Sequence, residues 1–217
     1  FCAGHCWTPN GDLVVAGGTV VYPPAVEGGK MVYLFEPQRL NEYYNDMGKW
    51  TRQPDLDIPR WYPTVTLLHR FPEPSTSISK NAVIVAGGTE SHNALPDRAR
   101  TTYEGYFVTM PTSPFVGQSV LTRDSRNTSS WAAGVFDGPA QTNANFFEYP
   151  RLFLLSNGSL FMAGMQTKGA RVFHENAAGI WNYAAGNENP NAVDVIGGFG
   201  VYVNGQRAYD SSVLMPI

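Results

Sequence analysis

Charge is scarce in this chain. Asp, Glu, Lys and Arg together make up 15% of its 217 residues, against about a quarter in an average globular domain. The net charge is −3 and no stretch gathers Lys and Arg, so neither nucleic acid nor an anionic membrane surface is an expected partner. Long apolar runs are missing as well: none reaches the roughly 18 residues that a membrane-spanning helix needs. Cysteine is limited to Cys2 and Cys6, too few for a disulfide framework. Four residues of extended strand span about 13 Å, beyond the roughly 7 Å that a disulfide tolerates between Cα atoms. A local bridge would need the chain to turn back at Gly4-His5. Helical patterning is also missing, apart from Arg39 to Tyr44, which lacks Pro and Gly and allows a single turn.

What is plentiful points to β-structure. Hydrophobic residues account for 43%, enough for a sizeable core and too many for a disordered chain. With 22 Gly and 16 Pro, many short strands joined by tight turns are favoured over long surface helices. The length suits one large all-β domain or part of one. Phe1 lies inside an apolar segment, and Ser212-Val213-Leu214-Met215-Pro216-Ile217 is itself strand-like. Residues 1–217 therefore read as one partial domain, cut at both ends.

Hairpin-like units recur along the chain. Phe1-Cys2-Ala3-Gly4 runs through Pro9-Asn10-Gly11-Asp12 into Leu13-Val14-Val15-Ala16-Gly17-Gly18. Arg60-Trp61-Tyr62-Pro63-Thr64-Val65 runs through a polar insertion, His69 to Lys80, into Val83-Ile84-Val85-Ala86-Gly87-Gly88. A third unit pairs Arg151 to Leu155 with Leu160 to Ala163 across Asn157-Gly158, a dipeptide suited to a tight hairpin. Each glycine-ended strand is followed by a further β-like segment and then a tryptophan: Met31 to Phe35 and Trp50, Tyr103 to Val108 and Trp131, Arg171 to Phe173 and Trp181. Four strands per unit, a glycine ending the second and a Trp in the fourth predict blades of a kelch-like β-propeller. About three blades of a seven-bladed ring are expected here. The glycines mark close packing where a Cβ would intrude, and the tryptophans are expected as apolar plugs between blades. Gly18 and Gly88 lie about 70 residues apart, longer than the roughly 50 of a kelch repeat, so the loops are inflated. A β-sandwich would also give short strands and glycine turns, but not this order.

Two residues stand out from the repeat. Cys2 and Tyr62 occupy nearly the same place relative to their hairpins, which raises the question of whether they meet. Taken alone, a buried Cys and a Tyr-Pro at a strand start are ordinary core residues. Their surroundings are not ordinary. The Phe-Cys-Ala-Gly segment before Leu-Val-Val-Ala-Gly-Gly, together with Pro59-Arg60-Trp61-Tyr62-Pro63-Thr64-Val65-Thr66-Leu67-Leu68, resembles the galactose oxidase and glyoxal oxidase family of copper radical oxidases. Ala208-Tyr209-Asp210-Ser211-Ser212-Val213-Leu214-Met215-Pro216 is similar to a segment of the glyoxal oxidase branch.

The resemblance implies a cofactor made from the protein itself. It implies a thioether between Cys2 and the ring carbon beside the Tyr62 hydroxyl, with the Tyr62 oxygen as an equatorial ligand of a copper ion. The ortho sulfur donates electron density and eases one-electron oxidation of the phenol. Copper and the tyrosyl radical would each store one electron, taking two from a small-molecule alcohol or aldehyde, with carbohydrates among the candidates, and passing them to O2 to give hydrogen peroxide. The family's axial tyrosine, its adjacent histidine and its later histidine have no counterpart here. No Tyr-His dipeptide occurs, and His5, His69, His92 and His174 do not match; those ligands are expected beyond Ile217, and the 217-residue piece alone is expected to be inactive. His5 and Cys6 are neighbours on a strand and point to opposite faces, so they are not read as a metal pair. Galactose oxidase also places a Trp over the thioether shortly after a Gly-Gly. Here Gly87-Gly88 is followed by Thr89-Glu90-Ser91-His92-Asn93, which shifts the expected substrate away from galactose. Asn127-Thr128-Ser129 and Asn157-Gly158-Ser159 match the N-glycosylation pattern; the first lies in a polar, loop-like stretch and points to a secreted, extracellular protein, while the second is more simply explained as turn chemistry. The alternative is a kelch propeller that binds a protein or glycan without catalysis, in which Cys2 is a plain thiol.

Overall fold

The computed structural model describes residues 2–22, 24–37, 48–72, 79–91, 98–112, 117–124, 129–130, 149–155, 160–163, 171–175 and 181–182. Among them the chain is all-β and antiparallel, with one 3-10 turn at Arg98–Thr101 and no helix long and apolar enough to cross a membrane. The first sheet begins with β1 (Gly4–Trp7) and β2 (Leu13–Ala16), in a register that pairs Trp7 with Leu13 and Gly4 with Ala16. The turn between them is closed by the Thr8 N–H donating to Asp12 O at 2.8 Å and the Gly11 N–H donating to Thr8 O at 3.0 Å. A two-stranded ladder of β3 (Thr19–Val21) and β4 (Glu27–Gly28) follows. Then β5 (Val32–Glu36) and β6 (Lys49–Gln53) complete the order β1-β2-β5-β6.

The second sheet contains β7 (Thr64–Pro72), β8 (Ser79–Ala86), β9 (Thr102–Thr109) and β10 (Val120–Arg123), paired in chain order, and β11 (Ser129–Ser130) also pairs with β9. The third is β12 (Arg151–Leu154), β13 (Leu160–Ala163), β14 (Arg171–Glu175) and β15 (Trp181–Asn182), again in chain order. Antiparallel pairing between neighbouring strands keeps the connections within each sheet local.

Alternation decides which faces are covered. In the first sheet Val14, Ala16, Val32 and Leu34 are fully buried while Leu13, Val15, Tyr33 and Phe35 are half-exposed, the period of two that a strand imposes. The buried set meets Val65, Val83, Val85, Tyr106, Val108 and Leu121 of the second sheet, with Leu56 from the connecting segment, in one core; Cys6 packs against its edge. In β8 the run Ala82-Val83-Ile84-Val85-Ala86 is buried without alternation, as a short continuous apolar run predicts for a strand covered on both faces. Two buried polar groups tie the layers. Asp12, in the β1–β2 turn, accepts the Ser119 N–H at 2.7 Å. The Tyr106 hydroxyl, its ionisation disfavoured chiefly by burial, donates to Pro54 O at 3.0 Å.

The three hairpins, the following strands and the all-β class match the sequence expectation. Two expectations are corrected. His69 to Lys80 is not wholly a loop: β7 runs on to Pro72 and β8 starts at Ser79, pairing Phe71 with Lys80 and Pro72 with Ser79 beyond an irregularity after Leu68. Proline is tolerated at a strand end because no ladder donor is needed there. Trp50 does sit in a fourth strand, but it is 55% exposed and lies against Phe35 and Tyr33 of the neighbouring strand instead of between sheets. It belongs to the cross-strand row Trp7, Leu13, Phe35, Trp50 on the face of the first sheet that is uncovered among the described residues. The fourth strand of the second sheet precedes Trp131, which lies outside the described residues, as do Arg39 to Tyr44, His92, Asn127, Asn157 and 208–216.

Candidate functional site

The first strand of each sheet starts two residues after a non-glycine residue in the left-handed conformation. These are Cys2 (φ 63°), Tyr62 (φ 60°) and Tyr149 (φ 53°), ahead of Gly4, Thr64 and Arg151 respectively. Positive φ is unfavourable for such side chains and persists only where the surroundings enforce it. Here the enforcement is a chain of backbone hydrogen bonds. The Tyr62 N–H donates to Cys2 O at 3.0 Å, and the Tyr149 N–H donates to Tyr62 O at 2.7 Å. β7 accordingly lies against both β1 and β12. The fold thus brings the backbones of Cys2 and Tyr62 side by side, and adds Tyr149 as a third equivalent position.

Aromatic rings gather on Tyr62. Trp61 stacks on it with centroids 4.3 Å apart and planes at 22°, and Tyr149 lies 4.9 Å away at 42°. Offset stacking of this kind suits ring quadrupoles. The Trp61 indole N–H donates to Thr19 Oγ1 at 2.8 Å, which fixes the ring. The resemblance implies a stacking ring after Gly87-Gly88; the ring stacked on Tyr62 is the Trp61 that directly precedes it. Trp61 and Tyr149 were both legible as aromatics, and only the repeat offset (two residues before an inner strand) would have singled out Tyr149.

The segment leading to Tyr62 is held from both sides. Arg60 and Gly18 share a bond from the Gly18 N–H to Arg60 O at 2.9 Å, and the Arg60 N–H donates to Gly29 O at 2.9 Å. Trp61 and Thr89 exchange both backbone bonds, at 2.8 and 2.9 Å. The Gly-Gly pairs of the first two hairpins therefore flank the same passing strand. At Gly88, with φ +85°, a Cβ would stand 2.6 Å from Trp61 O. The Arg60 side chain is fully buried and ion-paired with Glu104, also fully buried, at 3.3 Å. Nearby, Arg123 reaches Asp57 at 2.6 Å, and this hydrogen bond holds the Asp57 carboxyl below its usual range.

The two cysteines differ in environment. Both are free, as the spacing argument expects. Cys6 packs on the core, and burial pushes its thiol up to about 12. A thiol held neutral by burial is a poor nucleophile at physiological pH. We expect iodoacetamide at pH 7.5 to leave Cys6 of the folded protein unlabelled and to modify it only on unfolding, read by peptide mass spectrometry. The sign follows from the raised value: burial of the neutral thiol adds stability below about 9, and that contribution fades as pH rises towards about 12.

Of the histidines, His5 is exposed on β1 while Cys6 faces the core, so the two do not converge. His69 is exposed, its Nδ1 3.1 Å from Asn81 Oδ1. His174 pairs with Asn182 in the ladder of β14 and β15. Among the described residues no three His, Cys, Asp or Glu side chains gather as a metal site. A phenol oxygen is a fitting donor for copper(II), and Tyr62 would supply it; the described histidines do not add nitrogen donors beside it. The chain matches no protein-family model and no curated protein.

Proposed function

We propose that this chain is the radical-forming part of a copper radical oxidase, folded as consecutive blades of a kelch-like propeller and secreted. The observation that carries this reading is the hydrogen bond from the Tyr62 N–H to Cys2 O, which joins two left-handed residues at equivalent places in adjacent sheets. Sequential sheets, two of four strands and one of four with β11 added on β9, with their first strands side by side support the propeller. Positioned this way, Cys2 and Tyr62 are candidates for a thioether: the thiol and the ring each lose one hydrogen as sulfur bonds carbon, and O2 takes two electrons and two protons to become hydrogen peroxide. Copper, when bound through the Tyr62 oxygen, supplies a one-electron store beside the phenol. The substrate alcohol then loses two electrons and two protons to become the aldehyde, or an aldehyde hydrate becomes the acid, while O2 is reduced to hydrogen peroxide. Trp61 stacks on the Tyr62 ring, the place that a Trp after the Gly-Gly takes in galactose oxidase.

The test is a mass. After incubation with copper and O2, the full-length protein is expected to weigh two units less than its sequence, and a Cys2→Ala variant to show no loss. An unchanged mass in the parent protein would rule the cofactor out. The second reading, a non-catalytic binding module, draws on the exposed Trp7 and Trp50, since aromatic faces are common contact surfaces; it predicts the unchanged mass.

A further inference from the structure

Arg60 is bolted to two sheets at once. Its backbone bonds to glycines beside the first sheet, through the Gly18 N–H and Gly29 O. Its side chain belongs wholly to the second. Nη1 donates to Gly87 O at 2.9 Å, Ala99 O at 2.8 Å and Thr102 O at 3.1 Å. Nη2 donates to Thr102 Oγ1 at 2.8 Å and to Glu104 Oε1 at 3.3 Å, and Nε donates to Glu104 Oε1 at 3.3 Å. Glu104 in turn accepts the backbone N–H groups of Asp57 at 2.6 Å and Ile58 at 3.2 Å, and Arg123 Nη2 at 3.4 Å. One planar guanidinium thus fixes the end of β8, the 3-10 turn, the start of β9 and the incoming segment relative to the first sheet. Cys2 stands at the entry to the first sheet and Tyr62, two residues beyond Arg60, at the entry to the second.

Stability alone is a weak reason for such a pair, because a buried ion pair is often no better than an apolar replacement of equal size. Its particular property is geometry: a planar fork with fixed donor directions. We infer that Arg60, locked by Glu104, is the positioning residue that sets the register between Cys2 and Tyr62. The inference rests on the cofactor reading for its chemical consequence, and on the hydrogen bonds alone for its structural one.

The test uses the full-length protein and two measurements. Arg60→Met risks misfolding because it takes from the buried Glu104 its fully buried ion-pair partner and leaves only Arg123, at 3.4 Å, to balance the charge, so the deciding variant is Arg60→Lys, which keeps the charge and loses the fork. Amide hydrogen exchange at Tyr62 and Tyr149 is expected to speed up at least tenfold in Arg60→Lys, with the amides of Val83 to Val85 unchanged. Loss of two mass units on exposure to copper and O2 is expected to slow at least tenfold. Unchanged exchange at Tyr62 and Tyr149 overturns the inference, and so does equal acceleration at Val83 to Val85, which assigns the pair to general stability. If the parent protein never loses two mass units, the cofactor reading fails, while the exchange measurement still decides whether Arg60 sets the register.

Discussion

Replacing Tyr62 by Phe is expected to abolish peroxide production by the full-length protein, a loss of about 10⁴-fold or more, the scale on which removal of a chemically participating residue acts. The fold should survive. The bonds that hold Tyr62 to Cys2 and Tyr149 are made by its backbone, and a phenyl ring keeps the contacts with Trp61 and Tyr149. The expected change in unfolding free energy is under about 1 kcal/mol, read from urea titration. Tyr106→Phe is the control. That hydroxyl donates to Pro54 O from a fully buried ring, so its removal gives up that bond and should lower stability by about 0.5–1.5 kcal/mol with turnover per folded molecule unchanged. One tyrosine is therefore expected to matter for chemistry and the other for the fold. Turnover retained by Tyr62→Phe would refute the assignment, whatever happened to stability.

That contrast was only half legible in the sequence. Tyr62 and Tyr106 both sit among apolar residues, and no composition or periodicity argument separates them. The strands were legible because period-two alternation and glycine-bounded apolar runs are local signals; Leu13 to Ala16 and Ala82 to Ala86 carry them within a few residues. The left-handed backbone at Cys2, Tyr62 and Tyr149 was not legible, since it is imposed by hydrogen bonds between residues far apart in the chain. Arg60 shows the same limit. It reads as part of an Arg-Trp-Tyr motif, yet its partner Glu104 lies in β9, whose other residues carry no charge, and nothing local links the two. Trp50 was misread because a tryptophan's burial depends on which sheet covers its face, and the face it occupies carries none among the described residues. The Gly-Gly pairs were correctly read as places where a Cβ would intrude, but the intruded-upon partner, the Arg60–Trp61 backbone, came only with the fold.

Gly88→Ala should be strongly destabilising, and it joins the glycine motif to the site. Two penalties combine there. A left-handed φ of +85° is strained for any residue with a Cβ, costing about 1 kcal/mol or more. The new methyl group would also stand 2.6 Å from Trp61 O and 3.1 Å from Pro63 N, backbone atoms that cannot swing aside, and overpacking of this kind costs about 1–3 kcal/mol. A loss near 3 kcal/mol is expected by urea titration. Gly11→Ala separates the terms, because Gly11 has a similar φ of +81° with nothing within 4 Å of its added Cβ; it should show the strain alone, near 1 kcal/mol. The clash has a second consequence. Pushing Trp61 O away weakens its bond from the Thr89 N–H at 2.9 Å and displaces the ring that stacks on Tyr62. Peroxide production by Gly88→Ala should therefore fall further than the folded fraction does, whereas in Gly11→Ala the two should fall together. Equal stability of the two variants would mean that the glycine is there for its φ alone and that the close approach to Trp61 contributes nothing.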